Sequence, residues 1–254
     1  MCPVTDPTPL FLVGVGRSGT TALAELFAEH ERVVMGMERF KYLWGAARLD
    51  ELTREKLQPA AFFDFDDGLT NVRPDVHQRW HDYYAKQHDR FENAAYVGDK
   101  MTLARFDRLW EAMPDARFVC IVRSPVEVAR SWDVRAGRTD DPNWPAHLDR
   151  RRGIEAWNTG NLKIRRAARQ HPELVTVVEY ADLFGDPTGR AVRAVMERLG
   201  LEVTPAVEAA FAEAHETYTG KVRTQHGEVP REVRRFVRQH VTPDLWRHLR
   251  KLAV

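Results

Sequence analysis

The sequence predicts an α/β fold with a mainly parallel central sheet. Short apolar runs alternate with amphipathic segments along the chain, an order typical of strand–helix–strand units. The clearest runs are LFLVG at 10–14, RVVMG at 32–36, ARFVCIVR at 116–123 and VTVVEY at 175–180. Because these runs are apolar throughout rather than alternating, they indicate strands that are buried on both faces of the sheet.

Amphipathic helices are predicted directly after the strands. Residues 20–30 repeat apolar side chains at helical spacing after the first run. A second helix is expected to begin at Asp186 and Pro187 and to end at Gly200. The inner face of this second helix is predicted to consist of Val192, Val195, Met196 and Leu199.

The helix after residues 116–123 carries the strongest start signal in the chain. Ser124 stands at the N-cap position, Pro125 at the first helical position, and Glu127 where a capping box places its carboxylate. We therefore predict a helix from Pro125 onward, closed by a capping box.

The rest of the chain divides into two segments. Residues 40–95 are rich in aromatic and charged side chains and predict a mostly helical insertion that could cover a site, its aromatics packing individually as core. Residues 201–254 predict helices and loops packed over one edge of the sheet. We expect residues 1–254 to form a single domain, since nothing in the composition marks a boundary.

Composition excludes several function classes. The 38 Lys and Arg residues balance 37 Asp and Glu residues, so a net charge of +1 predicts neither nucleic-acid nor membrane-surface binding. Only two cysteines are present, and Cys120 lies inside an apolar run, so we expect no disulfide framework. The amino-terminal residues carry no signal-peptide pattern and no membrane span, so we expect a cytoplasmic protein.

A phosphate-binding loop is predicted between the first strand and the first helix. In the pattern G-x-x-x-x-G-K-[ST], Gly14, Gly19 and Thr21 match, whereas Thr20 replaces the lysine and Arg17 lies three residues earlier. Glycines turn successive N–H groups inward, and the helix N-terminus attracts an anion. Without the lysine, binding of Mg²⁺-ATP is disfavoured although phosphate binding is retained.

The loop GVGRSGTT resembles the 5′-phosphosulfate loop of sulfotransferases that use 3′-phosphoadenosine 5′-phosphosulfate (PAPS). It is most similar to the tyrosylprotein, carbohydrate and bacterial small-molecule branches. The resemblance implies a P-loop-type three-layer fold, PAPS as co-substrate, 3′-phosphoadenosine 5′-phosphate (PAP) as product, and no metal. The residues it implies for donor binding in this loop are Gly16, Arg17, Ser18, Gly19, Thr20 and Thr21.

A second motif strengthens the resemblance. The family binds the 3′-phosphate with an arginine at a strand end and a serine eight residues later, and Arg123 and Ser131 have this spacing. Ser131 and Arg135 are neighbours on a helix at i and i+4. Arg123, Ser131 and Arg135 can therefore converge on one phosphate, with the arginines supplying charge-assisted bonds.

Catalytic residues are implied by the same resemblance. Glu38 matches the general base of the tyrosylprotein branch, and we expect burial under the insertion to raise its pKa. Lys100 matches a lysine that contacts the transferring sulfuryl group and would form a cationic clamp with Arg17. Asp99 is also where a metal-dependent kinase would hold its metal. The cytosolic branch uses a histidine as base, but His77, His81 and His88 are expected on the insertion surface, with His81 as a reserve candidate.

Two further contacts with the donor are implied. Tyr180, at the end of the strand 175–180, matches a tyrosine near the adenosine. Lys221 and Arg223 lie in a segment, 219–230, where the family has a basic loop over the 3′-phosphate, although the glycine–tryptophan pattern of cytosolic members is missing.

Three functions are compatible with these motifs. The first is transfer of a sulfuryl group from PAPS to a hydroxyl of a small-molecule, lipid or glycan acceptor. The second is a Mg²⁺-dependent P-loop kinase of a small molecule or nucleotide, and the third is a nucleotide-binding module without activity. The sequence favours the first, leaves the acceptor open, and allows a homo-oligomer.

Overall fold

The computed structural model describes residues 6–44, 48–102, 105–141, 144–225 and 229–254 of the chain. Within these residues five strands form one sheet in the order β2-β3-β1-β4-β5, and every pairing is parallel. The prediction of an α/β fold is confirmed. The strands are β1 (Thr8–Val13), β2 (Val33–Met37), β3 (Tyr96–Met101), β4 (Arg117–Val122) and β5 (Val175–Glu179).

Helices connect the strands and follow the last one. The helices are α1 (Thr20–Phe27), α2 (Lys41–Trp44), α3 (Pro59–Phe62), α4 (Gln78–Arg90), α5 (Phe106–Ala112), α6 (Pro125–Ala136), α7 (Arg150–Gln170), α8 (Tyr180–Gly185), α9 (Arg190–Arg198), α10 (Pro205–Gln225), α11 (Arg231–His240) and α12 (Leu245–Leu252). Short 3₁₀ turns cover Leu49–Glu51, Arg54–Leu57 and Phe91–Asn93.

The sheet is covered on both faces, so the predicted three-layer arrangement is confirmed. Successive side chains of a strand point to opposite faces. In β1, Leu10 and Leu12 pack with α1, α8, α9 and α10, whereas Phe11 and Val13 pack with α5, α6, α7, α11 and α12. Cys120 of β4 is fully buried, as its apolar context predicted.

Strand β3 was not predicted, because its segment Tyr96–Met101 is only weakly apolar. All six residues are nevertheless buried, and β3 lies between β2 and β1. Gly98 makes this position possible, since a Cβ there would lie 1.7 Å from the Leu10 carbonyl oxygen. The polar residues Asp99 and Lys100 are therefore carried into the interior of the sheet.

Two predicted helix starts were wrong in detail. Ser124 and Pro125 do begin α6, but the Ser124 side chain makes no capping bond. Glu127 instead accepts a bond from Arg123 Nε at 3.3 Å, a charge-assisted contact that replaces the capping box.

The predicted helix at residues 186–200 is shorter, because α9 spans Arg190–Arg198. Asp186 Oδ1 accepts a bond from the Thr188 N–H at 2.9 Å, which fixes a turn before the helix. The inner face was predicted correctly, since its members are all buried: Val192, Val195, Met196 and Leu199.

The aromatic insertion protects the edge strand β2. From α4, the Tyr83 hydroxyl donates to the Met35 carbonyl oxygen at 2.7 Å, and Gln87 Oε1 accepts from the Met35 N–H at 3.0 Å. The Tyr84 hydroxyl accepts from the Met37 N–H at 2.8 Å. The insertion thus satisfies backbone groups that an edge strand otherwise leaves open. Its aromatic side chains are largely core, as predicted: Phe40, Trp44, Phe62, Tyr84 and Phe91 are buried.

The end of the carboxyl-terminal segment packs beside the edge strand β5, as predicted, but the segment as a whole covers both faces of the sheet, with α10 on one face and α11 and α12 on the other. The Val254 N–H donates to the Val177 carbonyl oxygen at 3.0 Å. The predicted loop at 219–230 is partly wrong, because α10 continues to Gln225. In the part of the chain that the structure describes, no helix is both long and apolar enough to cross a membrane.

Candidate active site

The carboxyl ends of the parallel strands bring most of the predicted residues to one edge of the sheet. The loop 14–19 follows β1, Glu38 follows β2, and Lys100 lies near the end of β3. Arg123 follows β4, and Tyr180 follows β5. This edge is where open parallel sheets bind their ligands.

The loop has the backbone of an anion-binding turn. Gly19 has φ 98° and precedes α1 without a side-chain cap, which leaves the first N–H groups of this eight-residue helix available. A Cβ on Gly19 would lie 2.4 Å from the Tyr180 ring. Arg17 also has a positive φ, 72°, a conformation that disfavours non-glycine residues. The strained loop is therefore held by its surroundings.

Ser18 contains a buried hydroxyl that needs a partner. The residue is 1% exposed, and its Oγ has no hydrogen-bond partner among the described residues. Buried polar atoms are normally paired, so an unpaired one in a loop of this shape fits a ligand oxygen. Thr20 is buried at the start of the helix beside it.

Arg17, Arg123 and Ser131 lie together. Arg17 Nε donates to Ser131 Oγ at 3.1 Å, and Arg123 Nη1 donates to the Arg17 carbonyl oxygen at 3.2 Å. The Arg123 guanidinium also lies over the Tyr180 ring, 4.3 Å from its centroid. The fold thus brings the loop and the Arg123–Ser131 motif, which are more than 100 positions apart in sequence, into one cationic cluster.

Arg135 adds charge to this cluster while being paired itself. Burial lowers the pKa of Arg17, and the positive charges of Arg135 and Arg123 lower it further. Arg135 Nε donates to Asp141 Oδ2 at 2.7 Å, and its guanidinium stacks on Trp144. The positive charges of Arg135 and Arg123 so close to Arg17 favour the binding of an added anion.

Two predictions about donor contacts have different outcomes. Tyr180 is the first residue of α8 rather than the last of a strand, because β5 ends at Glu179. The backbone of Lys221 and Arg223 lies in α10, but the structure does not describe their side chains.

Glu38 and Lys100 form the second part of the site. Lys100 Nζ lies 2.5 Å from Glu38 Oε1, and Lys41 Nζ lies 3.2 Å from Oε2. The Lys100 side chain is buried, whereas Lys41 is 40% exposed. Glu38 has φ 59°, so its backbone, like that of Arg17, adopts a left-handed conformation.

The expected rise in the pKa of Glu38 was wrong. Burial does raise this pKa, but the charges and hydrogen bonds of Lys100 and Lys41 outweigh burial, and the net shift is downward. The sequence argument considered burial alone and could not anticipate two lysines, one on each carboxylate oxygen.

The comparisons with known proteins bear on this geometry. A model described as the sulfotransferase family matches residues 9–205, which contain the loop and nearly all the side chains above. The chain belongs to the sulfotransferase family. No curated protein matches it at a significant level.

Solved sulfotransferases share the fold of this family member. The sulfotransferase domain of the Synechococcus PCC 7002 olefin synthase is 19% identical, with a TM-score of 0.53, covering 97% of this chain and 95% of that one. The sulfotransferase domain of the curacin biosynthetic pathway is 15% identical, with a TM-score of 0.52, covering 92% and 97%. Mouse sulfotransferase SULT7A1, complexed with PAP, is 15% identical, with a TM-score of 0.50, covering 96% and 82%.

Asp99, on which the kinase alternative depended, makes contacts that differ from those of a metal-binding carboxylate. Its carboxylate is fully buried and accepts bonds from the N–H groups of Arg39 and Lys100 on Oδ1 and of Phe40 on Oδ2. These three bonds occupy the oxygens that a kinase would direct to a metal. Within the described residues, no group of three or more His, Cys, Asp or Glu side chains could hold a metal ion.

Arg39 was missed altogether. Although charged, it is fully buried and donates to the carbonyl oxygens of Phe62 and Ala61 at 2.7 and 2.9 Å, and it pairs with Asp67 at 2.7 Å. The only sequence signal was its position next to Glu38. His77, His81 and His88 are exposed, as predicted, and His81 contacts Asp82 and Gln78 rather than the site.

Proposed function

We propose that the chain transfers a sulfuryl group from PAPS to a hydroxyl acceptor. The observation that carries this proposal is the cluster of Arg17, Arg123 and Ser131 beside the unpaired Ser18 hydroxyl. The cluster combines cations, hydroxyl groups and helix N–H groups, the donor set that phosphate and sulfate oxygens require. The solved relative SULT7A1 is complexed with PAP, which supports the same class of donor here.

The donor-binding roles follow from the two parts of the cluster. The loop from Gly16 to Thr21 would bind the 5′-phosphosulfate, with Arg17 supplying the charge of the displaced lysine. Arg123, Ser131 and Arg135 would bind the 3′-phosphate, and Tyr180 would lie near the adenosine. We assign Lys221 and Arg223 to the 3′-phosphate as well, on the resemblance alone.

Glu38 is proposed as the general base and Lys100 as a cation on the transferring group. When bound, PAPS supplies the sulfuryl group, which leaves a phosphate oxygen and bonds to the acceptor oxygen in line. Glu38 takes the acceptor proton, and as its charge is neutralised Lys100 becomes free to stabilise sulfuryl oxygens. The products are a sulfate ester, PAP and one proton on Glu38.

Two observations argue against the kinase alternative. Thr20 lacks the phosphate-binding ammonium group, and Asp99 is occupied by backbone N–H groups. A module without activity would not need a carboxylate and a lysine held together at 2.5 Å beside an anion site.

The acceptor is proposed only as a class, a hydroxyl of a small molecule, lipid or glycan. A cytoplasmic location and a homo-oligomer stay predictions from the sequence.

Calorimetric titration with PAP in EDTA, beside ADP and Mg²⁺-ATP, tests the donor. We expect metal-free binding of PAP that depends on the 3′-phosphate and weakens in Arg123→Ala. Equal binding of ADP, or stronger binding of Mg²⁺-ATP, would contradict the proposal. An acceptor screen with PAPS and measurement of PAP release would follow.

A further inference from the structure

Asp99 lies at the junction of the two residues proposed for chemistry. It precedes Lys100 in β3, and its carboxylate crosses to the turn that follows Glu38 at the end of β2. The described contacts of Asp99 are with backbone N–H groups of this turn and of its own strand, and it takes no part in the proposed reaction.

We propose that Asp99 is a positioning residue that holds Glu38 and Lys100 in register for proton transfer. The inference rests on the proposed function, in which Glu38 is the base. Three hydrogen bonds of 2.9–3.0 Å tie the N–H groups of Arg39, Phe40 and Lys100 to one carboxylate. These bonds fix the backbone that follows Glu38 and the N–H group of Lys100 itself.

The turn requires such an anchor because Glu38 is strained. A glutamate at φ 59° persists only where its surroundings determine the conformation. Asp99 accepts a bond from the Arg39 N–H, and the Thr70 hydroxyl donates to the Glu38 carbonyl oxygen at 2.8 Å, so the peptide group between Glu38 and Arg39 is held on both sides. Released from these bonds, the turn would relax and Glu38 would move away from Lys100.

Space at the junction is shaped for the carboxylate. Gly36, opposite Asp99 in the β2–β3 pairing, leaves the room that Oδ1 occupies, since a Cβ there would lie 2.7 Å from it. Arg39 connects the same turn to the insertion, because its guanidinium donates hydrogen bonds to the carbonyl oxygens of Phe62 and Ala61. Asp99 therefore connects the sheet, the turn and the insertion.

The variant Asp99→Asn removes one acceptor while keeping the shape. The amide would direct an N–H₂ group toward one of the backbone N–H donors, either on the Phe40 side or on the side shared by Arg39 and Lys100. We expect the rate constant for PAPS turnover to fall about 100-fold, the order expected for a displacement near 1 Å. PAP affinity should stay within about threefold of wild type, because Arg17 and Arg123 are untouched.

The pH profile of the rate distinguishes a positioning role of Asp99 from an effect of its charge alone. Charged and titratable groups around Asp99 are Lys100, Glu38, Arg39, Tyr83 and Tyr84. Burial raises the pKa of Asp99 to about 6, whereas the pKa of Glu38 is lowered, so Asp99 is already neutral in the pH range in which Glu38 titrates. Loss of the Asp99 charge alone therefore leaves the pKa of Glu38 unchanged. Loss of the Glu38–Lys100 contact raises it, since that lysine holds it down.

The experiment measures hydrolysis of PAPS to PAP and sulfate, and transfer to 2-naphthol, as a function of pH. Glu38→Gln identifies the acidic limb that belongs to Glu38. For Asp99→Asn we expect this limb at higher pH together with the lower rate. An unshifted limb, a limb at lower pH, or a variant changed only in melting temperature would overturn the inference.

Two more variants keep the test decisive. Thr70→Val loosens the same turn from its other side and should shift the limb in the same direction, with a smaller loss of rate. If Asp99→Asn does not fold, an unshifted limb in Thr70→Val overturns the proposal. Cys120→Ala, a buried change in β4, should lower stability and leave rate and limb unchanged.

Failure of the proposed function would look different. A wild-type protein that binds PAP yet forms no PAP from PAPS, with water or 2-naphthol as the acceptor, would count against the proposed function. The positioning of Glu38 by Asp99 would then be tested by measuring the pKa of the Glu38 carboxyl group by ¹³C NMR titration, with Glu38→Gln for assignment. An unchanged or lower pKa in Asp99→Asn would overturn it there too.

Discussion

The two halves of the site differ in how complete they are without a ligand. On the proposed donor side, which comprises Arg17, Ser18, Arg123, Ser131 and Arg135, two arginines pair with carboxylates, Arg123 with Glu127 and Arg135 with Asp141. The Ser18 Oγ nevertheless has no partner among the described residues, and helix α1 lacks a side-chain cap. On the Glu38 side, each carboxylate oxygen of Glu38 faces a lysine, and Asp99 receives three hydrogen bonds.

The two halves of the site therefore depend on a bound ligand to different extents. The donor half keeps an excess of positive charge and open hydrogen-bond capacity, which a doubly phosphorylated ligand would complete. The Glu38 half is pre-organised, so that little rearrangement is needed when a proton moves. Variants on the donor side should therefore change affinity, and variants on the Glu38 side should change rate and pH dependence.

The largest effect is expected for Lys100→Met. Removing a cation from the reacting centre typically costs roughly 2.7–4 kcal/mol of barrier, a fall of about 100- to 1,000-fold in kcat. PAP affinity should change little, and steady-state kinetics with calorimetry measure both quantities. Lys86→Met, which removes an exposed pair with Glu29, is the matched control and should behave as wild type. A Lys100→Met variant that loses PAP binding but keeps its kcat would contradict the expectation that this half of the site controls rate and not affinity.

Arg123→Ala should show the reverse pattern. A hydrogen bond to a charged group contributes about 1.5–3 kcal/mol, so PAP should bind roughly 10- to 100-fold more weakly while kcat at saturating PAPS is nearly kept. Arg117→Ala removes an arginine from the opposite end of β4, where Arg117 contacts the Arg198 carbonyl oxygen, and should leave PAP affinity unchanged. An equal loss in both variants would contradict a local role.

Ser18→Ala sharpens the claim that the donor half is incomplete. Removing an unpaired buried hydroxyl should raise the free energy of unfolding of the ligand-free protein by about 1 kcal/mol. The same change should weaken PAP binding roughly tenfold, because the ligand loses a hydrogen bond. Denaturant unfolding with and without PAP measures both. Thr176→Val, a buried change in β5, should leave PAP affinity unaltered. Lower stability of Ser18→Ala without PAP would count against an unpaired hydroxyl.

The smallest effect is expected for Lys41→Ala. Lys100 and Lys41 both lower the pKa of Glu38, so loss of Lys41 raises it and moves the acidic limb of kcat to higher pH. Because Lys41 is 40% exposed, the shift should be below about one pH unit and should shrink with salt. Rate–pH profiles at two ionic strengths test this. A shift that is equal at both would indicate a buried contact instead.

The same pKa has a consequence for stability. A carboxyl group whose pKa is lowered in the folded protein adds stability above its unfolded pKa of about 4.3, and this stability is lost as the pH falls through the folded value. Lys100→Met should reduce this contribution of Glu38 to the acid dependence of denaturant unfolding, and the part supplied by Lys41 should remain.

The sequence by itself determined the parts whose chemistry is local. The apolar runs predicted four of the five described strands, and the loop and the Arg123–Ser131 spacing identified residues that the fold brings together. Such features are readable because glycine conformations, strand burial and helix periodicity are properties of neighbouring residues.

Tertiary structure decided the rest, because it depends on contacts between distant segments. Strand β3 is buried by its neighbours despite its polar residues, and Asp99 finds its donors in a turn about 60 positions away. The pKa of Glu38 follows from two lysines brought to it by different elements, and not from burial alone. Pairwise contacts of this kind, between charged groups far apart in the chain, set the electrostatics of the site.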